Sequence, residues 1–175
     1  MEKIIICGFT GSGKTSLLAK LRKNDRNGEY CYFDLDQYIQ TNEEGYNFVS
    51  EIIKDRGWQG FREIEFRYLK ELLDSEASKR VISLGGGTLS EQVAMEMIKF
   101  QDCRLFWLDV DLATCLARIE KEKSEVIRPI VDLDSRRLKE LYQERLSVFK
   151  KYCERVGPEH LENIIDVKGL LNIKT

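Results

Sequence analysis

Residues Gly8-Phe9-Thr10-Gly11-Ser12-Gly13-Lys14-Thr15 stand between an apolar run, Ile4-Ile5-Ile6-Cys7, and the amphipathic stretch Ser16-Leu17-Leu18-Ala19-Lys20-Leu21. The order reads strand, glycine loop, helix. A loop without side chains at Gly8, Gly11 and Gly13 lets successive backbone N–H groups curl around a phosphate, while the helix N-terminus aims its dipole at the same anion. In such a loop Lys14 reaches the outer phosphates and Thr15 offers a hydroxyl to a Mg²⁺ ion. A glycine-rich turn after an edge strand is the plainer alternative. The flanking strand and the helix with Leu17, Leu18 and Leu21 on one side favour nucleotide phosphate binding.

Apolar runs that read as strands recur at residues 30–33, 81–84, 104–108 and 163–167, with helical periodicity between them. Strands alternating with helices imply a parallel sheet covered on both faces, and a run such as Leu105-Phe106-Trp107-Leu108 suits a strand buried on both sides. Ligands of such sheets gather at the carboxyl ends of the strands. The glycine loop, Asp34 and Gly85-Gly86-Gly87 all fall at such ends, so they are expected to line one crevice.

Asp34 and Asp36 lie two apart at the end of the second run. Both can project into the crevice, one toward a hydrated metal ion and the other toward a substrate hydroxyl. Alternatively one of them caps the helix that begins at Leu35 or Gln37. Two helices are expected next, about 45–56 and 60–75. In the second, Phe61, Ile64, Glu65, Tyr68 and Leu72 share a face, which puts a carboxylate on the apolar side, and Arg62 is the helical neighbour of Glu65. Two readings stay open: a routine ion pair at the core edge, or a Glu65 that orients Arg62 to grip a carboxylate bidentately.

Three consecutive glycines at 85–87 pack nothing, which is useful where something must approach the backbone closely. A tight turn before the helix that starts near Ser90-Glu91 is the alternative. Beyond the fourth strand, Leu112, Leu116 and Arg118 lie on a helix that runs into the charged segment Lys121-Glu122-Lys123-Ser124-Glu125-Val126-Ile127-Arg128-Pro129. It reads as a flap able to deliver the Arg128 cation to a migrating phosphoryl group, or as plain solvated surface. Asp134 can cap the long helix that follows. Arg145 falls in register with that helix's apolar stripe, so it is expected to face a pocket or a buried acid, since an unpaired guanidinium is not buried in a core.

The chain's 175 residues fit one domain, and 28 Lys and Arg against 30 Asp and Glu leave no nucleic-acid-attracting surface. Five cysteines lack CxxC spacing and read as reduced core residues. With no secretory signal and no bilayer-length apolar run, a cytoplasmic protein is expected. His160, near Gly157-Pro158, reads as a surface residue.

Taken together these residues resemble the shikimate kinases, members of the nucleoside-monophosphate-kinase-like P-loop fold. The resemblance rests on the glycine loop; on Asp34-Leu35-Asp36; on Gly57, Phe61, Arg62 and Glu65 in their spacing; on Ser83-Leu84-Gly85-Gly86-Gly87; on Arg128-Pro129-Ile130; and on Arg145 four residues before the aromatic Phe149. It implies a three-layer α/β/α kinase with a five-stranded parallel sheet, a single domain over 1–175, a substrate-binding helical segment about 35–75 and a lid about 119–133. It also implies ATP-dependent phosphorylation of the 3-hydroxyl of shikimate, in aromatic amino-acid biosynthesis.

By match to the family's motifs, Gly11, Ser12, Gly13, Lys14, Thr15 and Ser16 hold the nucleotide phosphates, and Thr15 holds Mg²⁺ with Asp34 helping through water. Asp36 accepts the hydroxyl proton, Arg62, Arg145, Gly86 and Gly87 hold shikimate, Arg128 closes from the lid, and Arg118 stacks on adenine. The expected partners are shikimate and ATP, with no nucleic acid or membrane, for a monomer. The chain departs from the family at Phe149, where members usually have tyrosine, between Arg118 and Arg128, where the stretch looks longer by a couple of residues, and at its end, where a last strand at 163–167 leaves only residues 168–175 in place of an adenine-contacting loop and a closing helix. Two rival functions are a kinase of another small hydroxy-acid such as gluconate, and a non-catalytic nucleotide-binding regulator.

Overall fold

Strand β1, Lys3–Cys7, is buried along its whole length, because it is the central strand of a five-stranded sheet ordered β2-β3-β1-β4-β5. The others are β2, Tyr30–Asp34, β3, Lys79–Ser83, β4, Cys103–Leu108, and β5, Glu154–Val156. The structure, a computed structural model, describes residues 1–75, 78–100, 102–121 and 134–173. Every pairing is parallel, with Ile4 opposite Val81 on one side and opposite Arg104 on the other. Parallel neighbours need crossover connections, so helices cover both faces.

Side chains alternate along β1, and each parity has its own core. Ile4 and Ile6 pack with Leu17, Leu18 and Leu21 of helix α1, Lys14–Asn24. Ile5 and Cys7 face the opposite layer. That layer comprises helix α2, Leu35–Asn42, helix α3, Val49–Asp74, helix α4, Glu91–Met97, and Phe149 of a later helix. Gly57, at φ 68° and ψ 175°, divides α3 into two arms, where the sequence reading expected two helices. Ser90 caps α4 by accepting from the Val93 N–H. Helix α5, Leu112–Lys121, is followed by helix α6, Ser135–Tyr152, whose cap is Asp134, accepting from the N–H groups of Arg136 and Arg137. Most of the expected lid, Arg128 included, lies outside the described residues.

The last strand corrects the sequence reading. Residues 163–167 are not a strand; β5 is Glu154–Val156. Ile164 and Val167 gave the strand-like signal because both are buried, at 2% and 4% exposure. They occupy a turn and the start of a helix that Asp166 caps. The true strand was masked by its charges. Glu154 accepts two hydrogen bonds from Arg104, at 2.7 and 2.6 Å, and Arg155 donates to Asp109 at 2.7 Å. Two helices, α7, Pro158–Leu161, and α8, Val167–Leu171, therefore follow the last strand, and the shortened end expected from the sequence is withdrawn. Cys31, expected in the core, faces solvent on edge strand β2; Cys7 and Cys115 are buried.

Candidate active site

The chain places β2 and β3 on one side of β1, and β4 and β5 on the other. The crevice lies at the carboxyl ends around this reversal. Gly11 and Gly13 have φ of 81° and 96°, a region unfavourable to residues with a Cβ. They turn the backbone so that α1 starts with its N–H groups toward the crevice. Gly13 is the N-cap and supplies no side-chain acceptor, so the first N–H groups of α1 are left for an anion. Thr15 and Ser16 are exposed there, and the buried Ser12 hydroxyl has no hydrogen-bond partner among the described residues.

Lys14 folds back over this loop, donating to the Gly8 and Phe9 carbonyls at 2.9 and 3.0 Å. Burial lowers its pKa to about 8 against the pull of Asp36. Thr15 donates to Asp34 Oδ2 at 3.1 Å. The other oxygen of Asp34 accepts from the Gln37 N–H at 3.3 Å. Asp34 is thus both the helix cap and a neighbour of the phosphate loop. Thr15 and Asp34 supply the hard oxygen ligands that suit Mg²⁺ or its bound water. Arg118 of α5 lies against the same loop, its Nη1 donating to the Ser12 carbonyl at 3.1 Å.

A second cluster forms around the three glycines. A methyl group on Gly87 would come within 2.5 Å of Arg62 Nη2 and 2.7 Å of Arg145 Nη2, so the two guanidinium groups converge over a backbone kept bare for them. Arg62 rests on the Trp58 ring at 5.1 Å, and its Nη1 is paired with Glu65. Arg145 comes from α6 and lies 5.1 Å over the ring of Phe9, which Tyr142 meets edge-on at 5.1 Å. Nη1 of Arg145 is buried and has no hydrogen-bond partner among the described residues. Burial, and then the Arg62 charge, lower the Arg145 pKa to about 10. Two half-buried guanidinium groups that converge over a bare backbone fit a bidentate anion of carboxylate shape.

Asp36 connects the two clusters. It sits in the first turn of α2, where burial and then the charges of Glu65 and Asp34 push its pKa up to about 7, opposed by Lys14 and Arg62. Its Oδ1 would lie 2.8 Å from a Cβ on Gly85, with Thr88 Oγ1 at 2.8 Å and Glu65 Oε1 at 3.0 Å from the same point. A carboxylate poised near neutrality between a phosphate loop and an anion clamp is suited to take a proton from a hydroxyl held there.

The structure thus brings together Lys14, Thr15, Asp34 and Arg118 at one end, Arg62, Arg145 and Gly87 at the other, and Asp36 between them. Gly86 packs against Thr10 of the phosphate loop, whose backbone N would lie 2.9 Å from an added methyl. Arg128 lies outside the described residues. Thr88, which donates to Glu65, and Phe9, which supports Arg145, were not singled out in the sequence. Only their positions, directly after Gly87 and within the phosphate loop, marked them.

A family model described as shikimate kinase matches residues 10–171. A shikimate kinase of Staphylococcus epidermidis is 32% identical over 148 residues, spanning 85% of this chain and 81% of its own length. One of Persephonella marina is 30% identical over 159 residues, spanning 91% and 90%. Among solved structures, shikimate kinase from Aquifex aeolicus matches with a TM-score of 0.75 and 26% identity, over 97% of this chain and 94% of its own.

Proposed function

The chain belongs to the shikimate kinase family, and from that premise we propose that it transfers the terminal phosphoryl group of ATP to the 3-hydroxyl of shikimate, as a cytoplasmic monomer working on small molecules. The observation that carries the reading to this chain's own residues is the convergence of Arg62 and Arg145 over Gly87, with Arg145 Nη1 unpaired among the described residues.

In this reading the shikimate carboxylate takes the place between the two guanidinium groups. Charge-assisted, forked contacts fix the ring's position and its orientation. Pinning the ring at one end places a ring hydroxyl beside Asp36, which accepts the proton as the new oxygen–phosphorus bond forms and ADP leaves. Backbone N–H groups of Gly11, Ser12 and Gly13, with Lys14, Thr15 and Ser16, hold the phosphates. Thr15, and Asp34 through water, hold Mg²⁺, which supplies charge neutralisation on the phosphate oxygens. Arg118 lies on the loop's flank, where a nucleotide base is within reach. Gly86 completes the wall of the acid pocket. Arg128, on a lid about 119–133, is assigned the cation that closes over the phosphates, and the helical segment about 35–75 is assigned the acid-binding role. Positioning and charge neutralisation supply the catalysis, so no histidine or thiol is needed.

The test is a coupled assay of ADP release with Mg²⁺ and ATP, run against a panel of hydroxy-acids that includes shikimate and gluconate. ADP release that depends on shikimate supports the proposal. Turnover on gluconate alone, or ATP binding without turnover on any acid, contradicts it.

A further inference from the structure

Glu65 is 1% exposed, and a carboxylate so placed must have each oxygen supplied with a donor or give up its charge. Oε2 takes Arg62 Nη1. Oε1 takes the hydroxyl of Thr88, itself 4% exposed and carried on the loop that follows β3. Among the described residues no other donor reaches Oε1. On the far side stands Asp36, whose Oδ1 converges with Oε1 and the Thr88 hydroxyl on one point above Gly85.

We propose that Thr88 is a positioning residue of this enzyme: its hydroxyl holds Glu65 fixed, so that Glu65 keeps Arg62 aimed at the acid. Thr88 touches neither substrate and acts through Glu65. The inference rests on the reading of Arg62 and Arg145 as the acid clamp.

Glu65 is faced by Arg62 from its own helix, Arg145 from α6, Asp36 from α2 and Thr88 from the glycine loop. Burial raises its pKa above the ordinary carboxylate value, opposed by the Arg62 charge, the Thr88 and Arg62 hydrogen bonds and the Arg145 charge. Loss of the Thr88 hydroxyl raises the tendency of Glu65 to protonate, and a protonated Glu65 no longer anchors Arg62.

The experiment compares steady-state kinetics and thermal melting of the wild type, Thr88→Ser and Thr88→Val over a range of pH. Serine keeps the hydroxyl, whereas valine keeps the shape. The valine variant is expected to raise the KM for shikimate about tenfold, the loss of one hydrogen bond to a charged group. It is expected to leave the KM for ATP unchanged and to move the acidic limb of kcat/KM for shikimate up by about one pH unit; the serine variant matches the wild type. In a Glu65→Gln background the valine change adds no further pH shift. Thr88→Ala gives the same comparison should the valine variant not fold. A valine or alanine variant with wild-type KM and pH profile overturns the inference, as does a loss of equal size in the Glu65→Gln background. A wild type inactive on shikimate overturns instead the acid-clamp reading beneath it.

Discussion

Arg62 on α3 and Arg145 on α6 aim their Nη2 atoms at one point above Gly87, 2.5 and 2.7 Å from where a Cβ would sit. Glu65 balances one of these charges, and Arg145 Nη1 has no hydrogen-bond partner among the described residues. Removing one arm with Arg145→Ala should raise the KM for shikimate by about tenfold to a hundredfold, the range of a hydrogen bond to a charged group. Affinity for ATP should hold. Calorimetric titration with each ligand checks both, and an unchanged shikimate affinity would remove Arg145 from the clamp.

Gly87→Ala offers a steric version of the same test. The atoms a methyl would meet are the far ends of two flexible side chains, so the fold should survive and the guanidinium groups should be displaced. The expected result is a higher KM for shikimate with little change in melting temperature or in the KM for ATP. A collapse in stability would mean that this glycine serves the fold and not the pocket.

Asp36→Asn should lower kcat by about 10²-fold or more, the usual contribution of a general base, while nucleotide affinity stays. It should also stabilise the protein. Asp36 has a folded pKa of about 7 against an ordinary value of 3.8, so the folded state binds its proton more tightly than the unfolded chain. The resulting destabilisation of the wild type is absent below about pH 4, grows as pH rises and is complete above about pH 7. Melting curves should show the asparagine variant ahead of the wild type in mild alkali, with the gap closing as the solution is acidified. A gap independent of pH would show that Asp36 is not the strained carboxylate.

Lys14 sets a limb of opposite sense. Burial brings its pKa down to about 8, and it must be charged to hold phosphate oxygens. The ratio kcat/KM for ATP, which reports the free enzyme, should therefore fall as pH rises through about 8. The same ratio for shikimate should rise through about 7 as Asp36 loses its proton. Lys14→Met should abolish ATP-dependent turnover while shikimate still binds. Profiles with no limb in this range would contradict the environments described for both groups.

Much of this site was legible because its chemistry is carried by residues at strand ends. The glycine loop after β1, Asp34 at the end of β2 and the glycines after β3 share a crevice as soon as the strands are taken as parallel. Arg145 could be placed from helical register alone, since a guanidinium on an apolar stripe has to face something. The reading failed at β5, where charge hid a three-residue edge strand and the buried Ile164 and Val167 imitated one. An edge strand packs one side only, so its apolar signal is weak, while a buried turn can be as apolar as a strand. Thr88 escaped for a different reason. Its partner Glu65 comes from another element, and a hydroxyl beside a glycine run carries no periodicity to reveal such a contact.

A crystal structure of the complex with ADP and shikimate measures the central claim most directly. The account requires the shikimate carboxylate between Arg62 and Arg145, its 3-hydroxyl within hydrogen-bond reach of Asp36, and the ADP phosphates on the loop around Lys14. Shikimate bound elsewhere, or bound with its carboxylate turned away from the two arginines, would contradict it.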